Sequence, residues 1–181
     1  MILDTSAIVA IALKEPGFEE LLGTLVEARN AGVGAPMLTE TAIVLSARLN
    51  QDARGVLSRF LVEGSIATVP FGDAHFAAAV DAWLRYGKGR HTASLNFGDC
   101  LSYATAALAG EPVLCVGNDF AQTALPSLDG IALFLAPVDR NVEGSVGNRI
   151  QGRSFGGTRF TIPPYRRCDV WMGLRKYQGT R

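Results

Sequence analysis

Short apolar runs that alternate with longer stretches of helical period constrain this chain more than any other feature. The runs are residues 1–3, 32–36 (a strand or its approach), Ile66–Val69 closed by Pro70, and 112–116, with 131–136 offering a fifth. The intervening stretches predict helices. Thr5–Leu13 turns directly into one, with Ser6 in a capping position, and Pro16-Gly17 breaks it. Phe18, Leu21, Leu22, Leu25 and Val26 mark a second. Leu38, Ala42, Leu45 and Leu49 mark a third, within a helix-like stretch that Thr39 and Glu40 open, and Val56, Leu57, Phe60 and Leu61 a fourth. Asp73 is placed to cap a fifth, whose expected buried face includes Phe76, Val80, Ala82, Trp83 and Tyr86. Asn96 and Asp99 introduce the last, and Gly110 fits its C-terminal stop. Strands that alternate with helices argue for a parallel sheet covered by helices on both faces.

At 181 residues and 48% hydrophobic content the chain suits one domain with an ample core. No apolar run is as long as a membrane span, because Lys14, Glu15 and Pro16 interrupt the first, and that run lacks the basic start of a secretory signal. Cys100, Cys115 and Cys168 are odd in number and far apart, which fits a reducing cytoplasm better than a disulfide framework. The zero net charge hides an asymmetry: residues 1–129 carry eight Lys/Arg against fourteen Asp/Glu, and residues 130–181 carry nine against three. The texture also changes toward Gly, Pro and Arg. Residues 1–128 are therefore read as the folded domain and 129–181 as a basic, irregular C-terminal extension expected to be loosely ordered.

Four acidic residues stand at the ends of these segments. Asp4 closes the first apolar run and Asp119 follows the last, while Glu40 and Asp99 sit at helix starts. In an α/β protein, functional groups gather beyond the C-terminal ends of parallel strands and in the helical turns that follow. Singly, each acid has a plain alternative as a cap or turn residue. Together they would repel, each pair at 4 Å costing roughly 4 kcal/mol at an effective dielectric near 20. A hard divalent cation, Mg²⁺ or Mn²⁺, relieves that cost, and phosphodiester hydrolysis is the work that suits such a site.

The segments 1–6 (Met-Ile-Leu-Asp-Thr-Ser), Thr39-Glu40, 95–100 (Leu-Asn-Phe-Gly-Asp-Cys) and 117–120 (Gly-Asn-Asp-Phe) resemble, in order and spacing, the PIN-domain ribonucleases, above all VapC-type toxins of bacterial toxin–antitoxin pairs. The resemblance covers about residues 1–128. It implies a three-layer α/β/α domain, an acidic catalytic cluster at Asp4, Glu40, Asp99 and Asp119, and Asp4 and Asp99 as direct Mg²⁺ ligands. It also implies a homodimer, a cognate antitoxin that covers the active site, and an RNA substrate, with tRNA and rRNA both compatible. Ser6 and Asn96 are placed to orient the carboxylates or to cap helices. Lys88, Arg90 and His91, in a basic loop expected to be flexible, are candidates for holding RNA phosphates or the antitoxin. His75 reads as a structural residue near a helix start. Two other readings stay open: a PIN-like module that only holds its antitoxin, and a small-substrate phosphohydrolase, against which Ser6 counts because an Asp-x-Asp nucleophile motif is missing. The glycines at 147 and 152 before Arg153-Ser154 echo a phosphate loop, but no apolar strand precedes them.

Overall fold

The first strand lies inside the sheet, and the strands that follow it are laid down first on one side and then on the other. The structure, a computed structural model, describes residues 1–126; the possible strand at 131–136 and the whole of the basic extension lie outside the described residues. In chain order the elements are β1 (Ile2–Leu3), α1 (Thr5–Leu13), α2 (Phe18–Glu27), β2 (Ala31–Gly34), α3 (Ala35–Leu49), α4 (Arg54–Glu63), β3 (Ile66–Val69), α5 (Asp73–Tyr86), α6 (Phe97–Ala109) and β4 (Val113–Leu114). The sheet order is β3-β2-β1-β4 and every pairing is parallel.

Strand alternation sorts the core into two layers. Met1, Leu3, Val33, Ile66 and Leu114 point to one side and meet Ile8 and Ile11 of α1, Leu21 and Leu25 of α2, Met37 of α3 and Leu57 of α4. Ile2 and Val113 point to the other side and meet Ala79 and Ala82 of α5 and Cys100 and Ala104 of α6. This is the three-layer α/β/α arrangement that the alternation and the resemblance imply. Each large aliphatic side chain that becomes fully buried contributes roughly 1.5–3 kcal/mol, and Leu3, Ile8, Leu21, Leu45, Leu95 and Leu114 are all in that class.

Several boundaries differ from the expectation. α1 is capped by Asp4, whose side chain accepts from the Ser6 amide, so Ser6 lies inside the first turn rather than at the cap. α3 begins at Ala35, with Pro36 in its first turn; a proline there loses no helical hydrogen bond. Glu40 therefore sits in the second turn of α3 and does not open it. Asp73 is the first residue of α5 rather than its cap.

The largest correction concerns which face of α5 is buried. Ala82 is buried as expected and Tyr86 is half-buried against the core, but the other buried residue is Ala79. Phe76 is 66% exposed and Leu84 54%, and Val80 and Trp83 also face outward. The two alanines let α5 approach α6 closely, and the bulky stripe is left at the surface. His75 accepts a hydrogen bond from the Gly72 amide (3.3 Å) and lies against Phe71, a local structural role.

Candidate active site

The chain builds from β1 outward to β3 and then returns to place β4 on the opposite side of β1. The crevice between the C-terminal ends of β1 and β4 is therefore the switch point of the sheet, where ligands bind in open α/β folds. Asp4 emerges from β1 there. Its amide donates to the Leu114 carbonyl (2.9 Å), and the Val116 amide beyond β4 donates to Ser6 Oγ (3.0 Å). The two strand ends are thus tied together at the first turn of α1.

Asp4 is 6% exposed. A buried carboxylate has to be compensated, and here the donors are neutral. Oδ2 accepts from the Ser6 amide (2.9 Å) and Ser6 Oγ (2.6 Å); Oδ1 accepts from Ser102 Oγ of α6 (2.7 Å). Ser102 is fully buried. Its neighbours in sequence gave no signal of this role, although a hydroxyl three residues after Asp99 shares the helical face of that acid.

Glu40 joins through the same turn of α1, since Thr5 Oγ1 donates to its Oε2 (3.0 Å). The residue as a whole reaches solvent, but its carboxylate lies against the start of α6. A Cβ added to Gly98 would stand 3.1 Å from Oε2 and 3.2 Å from Oε1, so glycine at 98 is what allows the approach. Partial burial of the carboxylate raises the Glu40 pKa, the Thr5 hydrogen bond opposes the rise, and the charge of Asp4 adds to it.

Asp99 closes a reciprocal cap with Asn96: its Oδ2 accepts from the Asn96 amide (2.7 Å) while its own amide donates to Asn96 Oδ1 (3.0 Å). Asp119 is partly buried beyond β4, after the left-handed Gly117. Cys115 follows β4 directly and is half-buried. Burial pushes its thiol up to about 12, and the charges of Asp4, Asp119 and Asp99 add to the rise. A thiol held neutral is a poor metal ligand, so the donors gathered here are hard oxygens. Among the described residues, however, no three Asp, Glu, His or Cys side chains stand ready as a metal-holding group. Asp4 and Asp99 are turned onto Ser6, Ser102 and Asn96 instead.

The basic loop is more ordered than its composition implies. The Lys88 amide donates to Leu95 O and the Leu95 amide to Tyr86 O, while the amides of Arg90 and Ser94 bond within the turn. His91 accepts from the Ala93 amide (3.1 Å) and meets the Tyr86 ring edge-on. Lys88 and Arg90 remain exposed. Beside Asp99, an apolar groove of about 540 Å³ lies between α5 and α6, lined by residues that include Phe71, Phe76, Val80, Trp83, Phe97 and Leu101.

This fold, with Asp4 at its switch point, matches a known class. The PIN domain family covers residues 1–125, and the chain belongs to that family, on its VapC ribonuclease branch. Ribonuclease VapC36 of Mycobacterium tuberculosis is 47% identical over 126 residues, which span 69% of this chain and 91% of that protein. Ribonuclease VapC of Mycolicibacterium smegmatis is 41% identical over 123 residues, 68% of this chain and 95% of that protein. A crystal structure of Mycobacterium tuberculosis VapC20, a sarcin–ricin loop cleaving toxin, shares the fold with a TM-score of 0.56 at 17% identity, covering 69% of this chain and 95% of that one.

Proposed function

We propose that the protein is a toxin endoribonuclease that hydrolyses RNA phosphodiester bonds with a divalent cation, Mg²⁺ or Mn²⁺, held by Asp4 and Asp99, with Glu40 and Asp119 completing the acidic cage. The observation that carries this reading is the placement of Asp4 at the switch point of the sheet, hydrogen-bonded to Ser102 of the helix that carries Asp99, with Glu40 tied to the same turn of α1 through Thr5. The donor set is all oxygen, which suits a hard cation. Such an ion lowers the pKa of a water and offsets charge developing on the phosphate. The chain's own residues perform the positioning. Ser6 fixes Asp4, Asn96 fixes Asp99, and Thr5 holds Glu40 against Gly98.

Lys88 and Arg90 supply phosphate contacts to an RNA that the acidic body would otherwise repel, so binding is modest and salt-sensitive. The antitoxin docks an apolar segment in the groove of α5 and α6, whose lining residues Phe97 and Cys100 flank Asp99 in sequence. A docked segment there would also cover the site. The enzyme works as a homodimer in the cytoplasm, where the free thiols of Cys100 and Cys115 stay reduced. No helix among the described residues is long and apolar enough to cross a membrane. Residues 1–128 form the nuclease domain and keep the activity when the extension is removed.

The test is cleavage of a structured RNA with and without Mg²⁺, for the wild type and for Asp4→Asn and Asp99→Asn. Activity should require the ion. Each variant should fold and lose roughly a hundredfold or more in rate, the several kcal/mol that a bound ion supplies. Near wild-type cleavage by either variant at saturating Mg²⁺ would remove that residue from the mechanism.

A further inference from the structure

A buried helical hydroxyl ordinarily returns its proton to its own helix, at the carbonyl four residues back. Thr24 donates to Glu20 O (3.0 Å), Thr41 to Met37 O (2.7 Å), and Thr105, one turn beyond the start of the buried face of α6, to Leu101 O (2.9 Å). Ser102 departs from this pattern. It has one proton to give, and that proton goes across the interface between α6 and β1 to Asp4 Oδ1 at 2.7 Å. The other oxygen of Asp4 is held by Ser6, within the carboxylate's own helix. Ser102 therefore joins Asp4 to a different element, and that element carries Asp99 three residues earlier, on the same helical face.

We propose that Ser102 is a positioning residue that sets the spacing and orientation of Asp4 relative to Asp99, and so tunes the affinity of the site for its divalent cation. The inference rests on the assignment of Asp4 and Asp99 as the ligands. With Ser102 in place, one lone pair of Oδ1 is occupied and the carboxylate is locked in a single rotamer, so an arriving ion meets a prepared oxygen. Without it, Asp4 is anchored to α1 alone and turns independently of α6. Partners that orient ligands in this way typically govern metal affinity by about 10–100-fold.

The experiment measures Mn²⁺ affinity of the full chain by titration calorimetry and by the rise in melting temperature with Mn²⁺, for wild type, Ser102→Ala and Thr105→Ala. Thr105 is as buried as Ser102 and lies on the same helix, but its hydroxyl bonds only its own backbone, so it reports what a packing defect alone does. Ser102→Ala should weaken Mn²⁺ binding about tenfold, and Thr105→Ala should leave it within about twofold. If Ser102→Ala does not fold, Ser102→Cys, which keeps the volume and weakens the donor, is measured in its place and should lose severalfold. Unchanged Mn²⁺ affinity in the Ser102 variant, or an equal loss in Thr105→Ala, overturns the proposal. A wild type with no Mn²⁺ response at all overturns the ligand assignment itself, and this inference with it.

Discussion

α1 and α5 are both rich in apolar residues, yet one is swallowed by the fold and the other lies on it. In α1, Thr5, Ala7, Ile8, Val9, Ala10 and Ile11 are all buried, because the helix is packed against α2 and α3 and sits over the sheet. α5 buries only Ala79 and Ala82, and its packing is dominated by α6. The difference teaches that residue size, not hydrophobicity alone, decides which stripe of a helix faces inward. Two stripes run along α5 at helical spacing, one of alanines and one of Phe76, Val80 and Trp83. Close packing against the small residues of α6, Ala104 among them, accepts the alanines and leaves the bulky stripe for another partner.

The contrast is broken most directly by truncation on the two helices. Ile8→Ala should destabilise the protein by about 2–5 kcal/mol, since a fully buried side chain leaves a cavity. Trp83→Ala should cost less than about 1 kcal/mol in the same denaturant titration. Comparable losses would mean that the outer face of α5 is covered within the protein after all.

The proposed docking of the antitoxin can be tested on the outer stripe. Trp83→Ala should weaken capture of the cognate antitoxin by roughly thirtyfold, about 2 kcal/mol for a large aromatic anchor, while RNA cleavage by the free toxin stays near wild type. Unchanged antitoxin affinity would take the partner off this face.

Smaller effects should follow from the loop that succeeds α5. Lys88→Ala with Arg90→Ala should flatten the salt dependence of RNA binding by up to about two phosphate contacts and leave Mn²⁺ affinity unaltered. An unchanged slope would return both side chains to ordinary solvated surface.

The smallest expected effect is at the edge of the α1 clamp. Glu40 has its pKa raised above the ordinary 4.5 by partial burial, so the folded chain holds that proton more tightly than the unfolded chain. Its contribution to stability is complete below 4.5 and is lost as pH rises through the raised value. In metal-free buffer, Glu40→Gln should abolish this downward slope above pH 4.5. Parallel stability–pH curves for the two proteins would show that Glu40 titrates as an ordinary carboxyl.

The same comparison shows how far the sequence was readable. Alternation of short apolar runs with helical periods located the four strands and six helices of the described residues within a few positions, because burial on both sheet faces leaves uninterrupted apolar runs such as that before Asp4. The acids were visible because charged residues directly after such runs need a reason. Ser102 was not visible. Serine in an alanine-rich helix carries no pattern, and its partner lies far away in the chain, so only the tertiary contact shows which way its proton points. The buried stripe of α5 was found only in part, at Ala82 and Tyr86, for a related reason: periodicity reports that a helix exists, while the choice of face depends on a neighbour contributed by α6.

The position of β1 between β2 and β4 has a consequence in time. Asp4 precedes Asp119, and the β4 strand that borders it, by most of the length of the described domain. Until β4 seats itself beside β1, the Leu114 carbonyl cannot receive the Asp4 amide and Ser6 has no Val116 to hold. On the proposed reading, a nascent chain therefore lacks a complete site through most of the synthesis of this domain. The site so read assembles only as the domain is completed, and an antitoxin that covers it would have nothing to cover before that moment.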